Sequence, residues 1–285
     1  MNDYFEKLQE TLSKISIKNK SSWIFILCFI FGIIFLVRSC SQPKSYHQTI
    51  FVVARDSGWH SLQLFGKDKN LIAFTNELML LITSETHLHF RWLETGANTL
   101  IEKLNDGECD GILSTLHPSP YNRDTYLFSD IILATGSVLV VRQDSPVQSF
   151  QELQGQVIGY SSNTSLIYNK TFQTNANAYN ILLINYVSGN QALEALANKQ
   201  LDGVVLEAFT AYTLTETQYA GILKVANRPI TDEGLRLITL YSEELEVAVK
   251  EFDKALIKIK NDGLYDKLID KWDLYDAETR YQPKQ

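Results

Sequence analysis

Two groups of polar residues each follow a nearly identical stretch of chain. Ser114, Thr115 and His117 come at or after Asp110-Gly-Ile-Leu, and Glu207 comes directly after Asp202-Gly-Val-Val-Leu. Hydroxyl and imidazole groups can hydrogen-bond a small polar molecule. A carboxylate at the end of an apolar run can accept a cationic group or, once desolvated, hold a proton for general acid work. Other chemistries lack their residues: there is no Ser-His-Asp set, HExxH helix, P-loop or CxxC pair. Of the five histidines only His87 and His89 lie close together, and their alternation suits one exposed face of a strand rather than a metal site. No metal and no cofactor is expected.

The two stretches belong to an internal repeat. Ile101-Glu-Lys-Leu, five residues and Asp110-Gly-Ile-Leu recur 92 residues later as Leu193-Glu-Ala-Leu, five residues and Asp202-Gly-Val-Val. Each copy reads as helix, turn and buried strand. Open α/β sheets bind ligands beyond the carboxyl ends of their strands, so a unit used twice leaves its sites at the two strand ends facing a crevice.

The rest of the pattern supplies the scaffold. Strands are expected at 49–54, 88–92 and 111–114, with a loop over 55–70, a helix over 74–85 and the first repeat helix over 98–105. A second set has strands at 136–141, 156–159, 181–186, 203–206 and 222–225. Between them lie a short helix opened by the capping box Ser149-x-x-Glu152, a helix after Thr164, the second repeat helix capped by Ser188-x-x-Gln191, and a helix after residue 206. After a strand at 235–241, a helix over 242–262 places Leu245, Val249, Phe252, Leu256 and Ile259 on one face and stops at Gly263; a short helix carries Leu264 to Trp272. This alternation implies α/β architecture with mostly parallel sheets.

At 285 residues the chain suits one large domain or two ordinary ones. Its beginning differs from the rest. Trp23 to Val37 is an uninterrupted apolar run of 15 residues after Lys18 and Lys20. As a helix it would span about 22 Å, short of the roughly 30 Å hydrocarbon core, which favours a signal h-region over a full span. Val37-Arg38-Ser39-Cys40 resembles a lipoprotein cleavage box, with Arg38 off the pattern, so lipidation of Cys40 and an uncleaved anchor both stand. In either case the lysines place the bulk of the chain in the cell envelope, on the periplasmic side of the cytoplasmic membrane. Beyond residue 38 there are 21 basic and 30 acidic residues, which disfavours a nucleic-acid partner. Cys28 lies in the apolar run and Cys40 at its end, so Cys109 is the one cysteine in the folded part, read as a small buried filler.

Asp110 with Phe128-Ser129-Asp130, the Asn163-Thr164 turn after Val157-Ile-Gly159, Leu201-Asp-Gly-Val-Val-Leu-Glu207 and the ending Asn261-Asp-Gly-Leu-Tyr-Asp-Lys-Leu-Ile-Asp-Lys-Trp272 carry a family resemblance. In this order and spacing they resemble the polar amino-acid-binding proteins of bacterial ABC transporters, the extracellular solute-binding family 3, from about residue 49 to 272. The resemblance implies a two-lobed periplasmic-binding-protein clamshell with two hinge crossings, near 129–135 and 229–235, preceded by the amino-terminal anchor or signal segment. Residues 1–47 would then be signal, anchor and linker. Residues 48–133 and 234–275 would form lobe 1, 134–233 lobe 2, and 276–285 a tail.

It also implies a site, position by position. Trp59 matches an aromatic that stacks on the ligand side chain; the alternative is a Trp that packs the lobe. Asp56 matches a position that in some members meets a cationic side chain. Ser114, Thr115 and His117 occupy the loop whose backbone and hydroxyl groups hold ligand. The arginine that would fork onto the ligand carboxylate falls, by register, on Asn122, with Arg123 one residue late. Thr164, with Ser165 beside it, matches a hydroxyl on the same carboxylate, and Glu207 stands where an Asp binds the α-amino group. A second family aromatic falls on Ala97, so the pocket has lost a wall. Asp110 and Asp202 themselves are read as caps on strand or helix ends.

The implied role is capture of an amino acid or similar small solute for an ABC permease, with no catalysis. Two readings compete. One is a sensing clamshell that has lost transport. The other is a cyclohexadienyl-dehydratase-like enzyme with Glu207 as general acid.

Overall fold

The computed structural model describes residues 50–59, 62, 64–161, 170–226 and 229–277. Residues 48–285 form one compact unit. The apolar run, Cys40, Thr164 and Ser165 lie outside the described residues. Among those described, no helix is long and apolar enough to cross a membrane, and no group of three His, Cys, Asp or Glu could hold a metal ion.

Two sheets organise the unit. In the first, strands β1 (Ile50–Asp56), β2 (His89–Thr95) and β3 (Gly111–Ser114) run parallel in the order β2-β1-β3. The late strand β11 (Gly234–Leu240) joins β3 antiparallel and carries β4 (Tyr126–Phe128) and β5 (Leu133–Ala134) on its other side. In the second sheet β7 (Val157–Ser161), β8 (Leu182–Tyr186) and β9 (Gly203–Glu207) run parallel, and β6 (Ser137–Arg142) joins β9 antiparallel with β10 (Leu223–Val225) at its edge. The order β8-β7-β9-β6 reproduces β2-β1-β3-β11, so the repeat in the sequence is a repeat in topology. The sheets are mixed rather than mostly parallel. The βαβ crossovers make three parallel strands in each, and the strands that enter from the hinge come in reversed.

The repeated Asp-Gly has the same physical job twice. Asp110 bonds Val52 through its own N–H (2.8 Å) and accepts the Val52 N–H on its carboxylate (2.7 Å). Asp202 does the same to Val157 at 2.9 and 3.0 Å. The glycine that follows is needed for close packing: a Cβ on Gly111 would come within 3.0 Å of Leu237 and Phe51, and one on Gly203 within 2.9 Å of Leu139.

Helix α1 (Asp68–Glu85) starts six residues before the expected 74. Its first residues, Asp68-Lys-Asn70, are polar and hid its start; Leu71, Phe74, Leu78 and Ile82 then line one buried stripe, with Ile72 packed against the same core. The first repeat helix, α2 (Leu100–Asn105), is preceded by a 3-10 turn, Ala97–Thr99. The Ser149-x-x-Glu152 segment forms only a 3-10 turn, Phe150–Leu153, with Glu152 bonding the Ser149 hydroxyl (2.8 Å) instead of boxing a longer helix. Helix α3 (Lys170–Ala178) follows, then α4 (Gly189–Ala197), whose Ser188 hydroxyl accepts the Gln191 N–H at 3.3 Å as the cap predicts. Helix α5 (Ala208–Glu216) starts directly at the end of β9. Helix α6 (Glu243–Asn261) buries Phe252, Leu256 and Ile259 in the main core, at about 1.5–3 kcal/mol for each side chain, with Val249 also buried on that face, and α7 (Leu264–Lys271) follows Gly263.

Two segments connect the sheets. In the first, Ile132 donates to Leu235 O (2.8 Å) and Thr135 to Glu233 O (3.0 Å); in the second, Ile230 donates to Ser137 O (2.7 Å). The Ser137 N–H also reaches the Thr231 hydroxyl (2.9 Å), so the crossings lie side by side and brace each other.

Candidate functional site

Strand register brings the polar strand ends to this hinge. Because Ala54 faces Ile112, Asp56 lies level with Ser114 at the carboxyl ends of β1 and β3. Ser114 faces Arg236, three residues beyond Glu233 in the second crossing. From the other sheet Glu207, at the carboxyl end of β9, faces Ser137 just past the first crossing, and the next N–H, of Ala208, donates to Gly136 O (3.2 Å).

Glu207 is the group whose chemistry is altered. Burial, and then the Glu233 carboxylate, push its pKa above the ordinary glutamate range. Two carboxylates that oppose each other in a desolvated place raise the cost of either charge, and a cation between them removes that cost. Glu233 was not legible as a site residue, since nothing in the second crossing's sequence marks it; only the fold sets it against Glu207.

In the first lobe, Asp56 is buried and its carboxylate accepts the Gly58 N–H at 3.2 Å, closing the turn that leads to Trp59. Trp59 is 1% exposed, sits in the main core cluster with φ of 49°, and has a buried indole N–H with no partner among the described residues. The Ser114 hydroxyl accepts the Leu116 N–H at 3.1 Å, Thr115 is half-buried and His117 is exposed.

Asn122, at the place the register gives the arginine, has a structural task. Its side chain accepts the Ser119 N–H (2.7 Å) and donates to His117 O (3.0 Å), pinning the loop between them. Arg123 next to it is exposed. Ala97 is half-buried in its 3-10 turn. The buried guanidinium groups of this lobe are instead Arg236, which donates to Ser129 O (2.8 Å) and to Asp232 (3.2 Å), and Arg55. Arg55 meets Glu94 (2.6 and 2.8 Å), Thr75 (3.1 Å) and Asn76 (2.8 Å) and lies 4.1 Å over the Trp92 ring. Period-2 alternation could have shown that Arg55 shares the inward face of Phe51 and Val53.

Comparison with known proteins gives this geometry its context. A Campylobacter jejuni protein named probable histidine-binding protein is 24% identical over 217 residues, covering 74% of this chain and 80% of the relative. An Escherichia coli protein named ABC transporter arginine-binding protein 1 is 22% identical over 210 residues, 73% of this chain and 84% of the relative. Among solved structures, the unliganded open L-cystine solute receptor of Neisseria gonorrhoeae shares the fold with a TM-score of 0.64 at 19% identity, over 82% of this chain and 97% of that one. The family model described as bacterial extracellular solute-binding proteins, family 3, matches residues 51–274, and the chain belongs to that family.

Proposed function

We propose that this protein captures an amino acid, or a small polar solute with an ammonium group, in the crevice between its lobes and delivers it to an ABC permease. The observation that carries the reading is Glu207, a desolvated carboxylate opposed by Glu233 at the junction of the second lobe and the hinge. A ligand ammonium supplies a countercharge to Glu207. Ser114, Thr115 and His117 face the first lobe's side of the pocket, with Asp56 and Trp59 buried behind them, and Thr164 with Ser165 take the ligand carboxylate from the second. Arg123 assists from the exposed rim rather than as a buried fork. The amino-terminal segment tethers the protein to the membrane, by its apolar run or by lipid on Cys40. Isothermal titration against a panel of amino acids tests this: a micromolar or tighter ligand is expected, and silence across the panel would overturn it.

The burial that raises the pKa of Glu207 also favours a second reading, in which this carboxyl group serves a dehydratase as general acid. Turnover of prephenate or arogenate would establish that reading, and a flat assay removes it.

A further inference from the structure

The chain does not leave the first lobe at the end of α7. Asn70 donates to Trp272 O (2.8 Å), and Lys67 holds both the carbonyl (2.6 Å) and the carboxylate (2.8 Å) of Asp273, so the segment is fixed at its start to the base of α1. Two residues on, Tyr275 leaves that lobe's surface and packs on α5 of the other. Its ring lies 5.6 Å from that of Tyr212, 17° from parallel, and meets Phe209 edge-on at 5.2 Å. Its hydroxyl donates to Glu216 at 3.0 Å, while Lys67 sits 4.4 Å over its ring from the first lobe. Phe209, Tyr212 and Glu216 are spaced i, i+3, i+7, one stripe of the helix. Beyond Tyr275, Asp276 takes the Tyr265 hydroxyl and the Ala134 N–H (3.4 Å), and Ala277 donates to Ala134 O (3.2 Å), so the segment ends on hinge strand β5. Leu274 through Ala277 are all buried.

We propose that residues 272–277 are a third, non-covalent tie between the lobes, a strap that sets the position of α5 relative to the first lobe and limits hinge bending. An extended segment that merely finished the first lobe would have no reason to bury an aromatic ring on the second. Clamshell closure turns one lobe about the hinge crossings, and a ring stacked on α5 must slide or release when α5 moves. Because α5 begins at Glu207, the strap also sets where that carboxylate stands. This last consequence rests on the solute-binding reading; the strap does not.

The test needs no ligand. Backbone hydrogen exchange is followed by mass spectrometry on the full-length chain and on its Tyr275→Ala, Tyr275→Phe and Glu216→Gln variants. In Tyr275→Ala, exchange should rise about tenfold or more across residues 133–137 and 208–216, while β1 and β7 keep wild-type protection. Tyr275→Phe keeps the rings and loses the hydroxyl contact, while Glu216→Gln keeps them and leaves the hydroxyl only a neutral acceptor, so a smaller rise, up to roughly two- to fivefold, is expected in the same segments. Unchanged exchange there, or an equal rise throughout both sheets, would overturn the proposal. If Tyr275→Ala does not fold, the two milder variants decide by the same criteria.

Discussion

Asp202 and Val157 are joined twice, the Asp202 N–H to the Val157 carbonyl at 2.9 Å and the Val157 N–H to the Asp202 carboxylate at 3.0 Å. The side chain thus supplies one more rung at the point where β7 and β9 begin to pair. Asp202→Ala leaves the Val157 N–H without this acceptor and should cost about 1–2 kcal/mol. The denaturation midpoint should fall with an unchanged slope, and ligand affinity should not move more than about twofold. A large loss of affinity at unchanged stability would place Asp202 in the binding site.

Glu207 should behave in the opposite way. A folded-state carboxyl pKa above the unfolded value gives stability that is full at low pH and lost as pH rises through the folded value. Glu207→Gln removes that loss, so at pH 7 the unliganded variant should melt above the wild type. In the proposed role of Glu207 the same substitution removes a charge-assisted bond to the ligand, worth about 1.5–3 kcal/mol, and should weaken the best amino acid of the panel by roughly 10- to 150-fold. Differential scanning and calorimetric titration of one preparation read both effects. A variant that melts lower and binds normally contradicts the assignment.

Asp253 on α6 marks a pH window. Burial first, then the Asp130 carboxylate, raise it to about 6, against the pull of the Asp130 N–H (2.8 Å) and of Arg236. Its contribution to stability is therefore full below about pH 4 and is lost between there and about 6. Two pKa units correspond to about 3 kcal/mol unscreened, and for a half-buried group about 1 kcal/mol is expected. Asp253→Asn still accepts the Asp130 N–H. The difference in unfolding free energy between variant and wild type should therefore grow from pH 4 to 6 and stay level above; a constant difference would refute it.

At the hinge, a Cβ on Gly136 would overlap the Thr231 carbonyl oxygen. The two crossings are braced at this point, so neither backbone can yield alone. Gly136→Ala should cost about 2–4 kcal/mol and lower the melting temperature by several degrees. Gly155→Ala, beside nothing within 4 Å but with φ of 73°, should cost only about 1 kcal/mol by backbone strain, and serves as the comparison.

Arg123 is exposed, and a hydrated guanidinium adds little to a contact made in water. Arg123→Ala should weaken binding by less than about tenfold, clearly less than Glu207→Gln. Equal losses would mean that the loop pinned by Asn122 rearranges to bury the arginine when ligand is present.

What was legible in the sequence is what local periodicity controls. The repeated helix, turn and Asp-Gly strand at 101–114 and 193–207 could be read because burying a short strand needs an unbroken aliphatic run, and closing its start needs the same carboxylate in both copies. The buried face of α6 and the Ser188 cap are of the same kind. Less legible was α1, whose first turn is polar, and the Ser149 segment, where a sound capping pattern had too few residues behind it to extend a helix.

The candidate site divides along the same line. By itself the sequence determined the family, the two strand ends that carry polar groups, and Glu207 as the acid at one of them, because these depend on residues adjacent in the chain. Only the tertiary structure decided that Glu233 opposes Glu207, that Arg55 and Arg236 rather than Arg123 are buried, and that Tyr275 reaches across to Tyr212. The two pairs are 26 and 63 residues apart. Their meeting is set by how two sheets are joined through a hinge, and no periodicity along the chain encodes which side chains such a joint brings face to face.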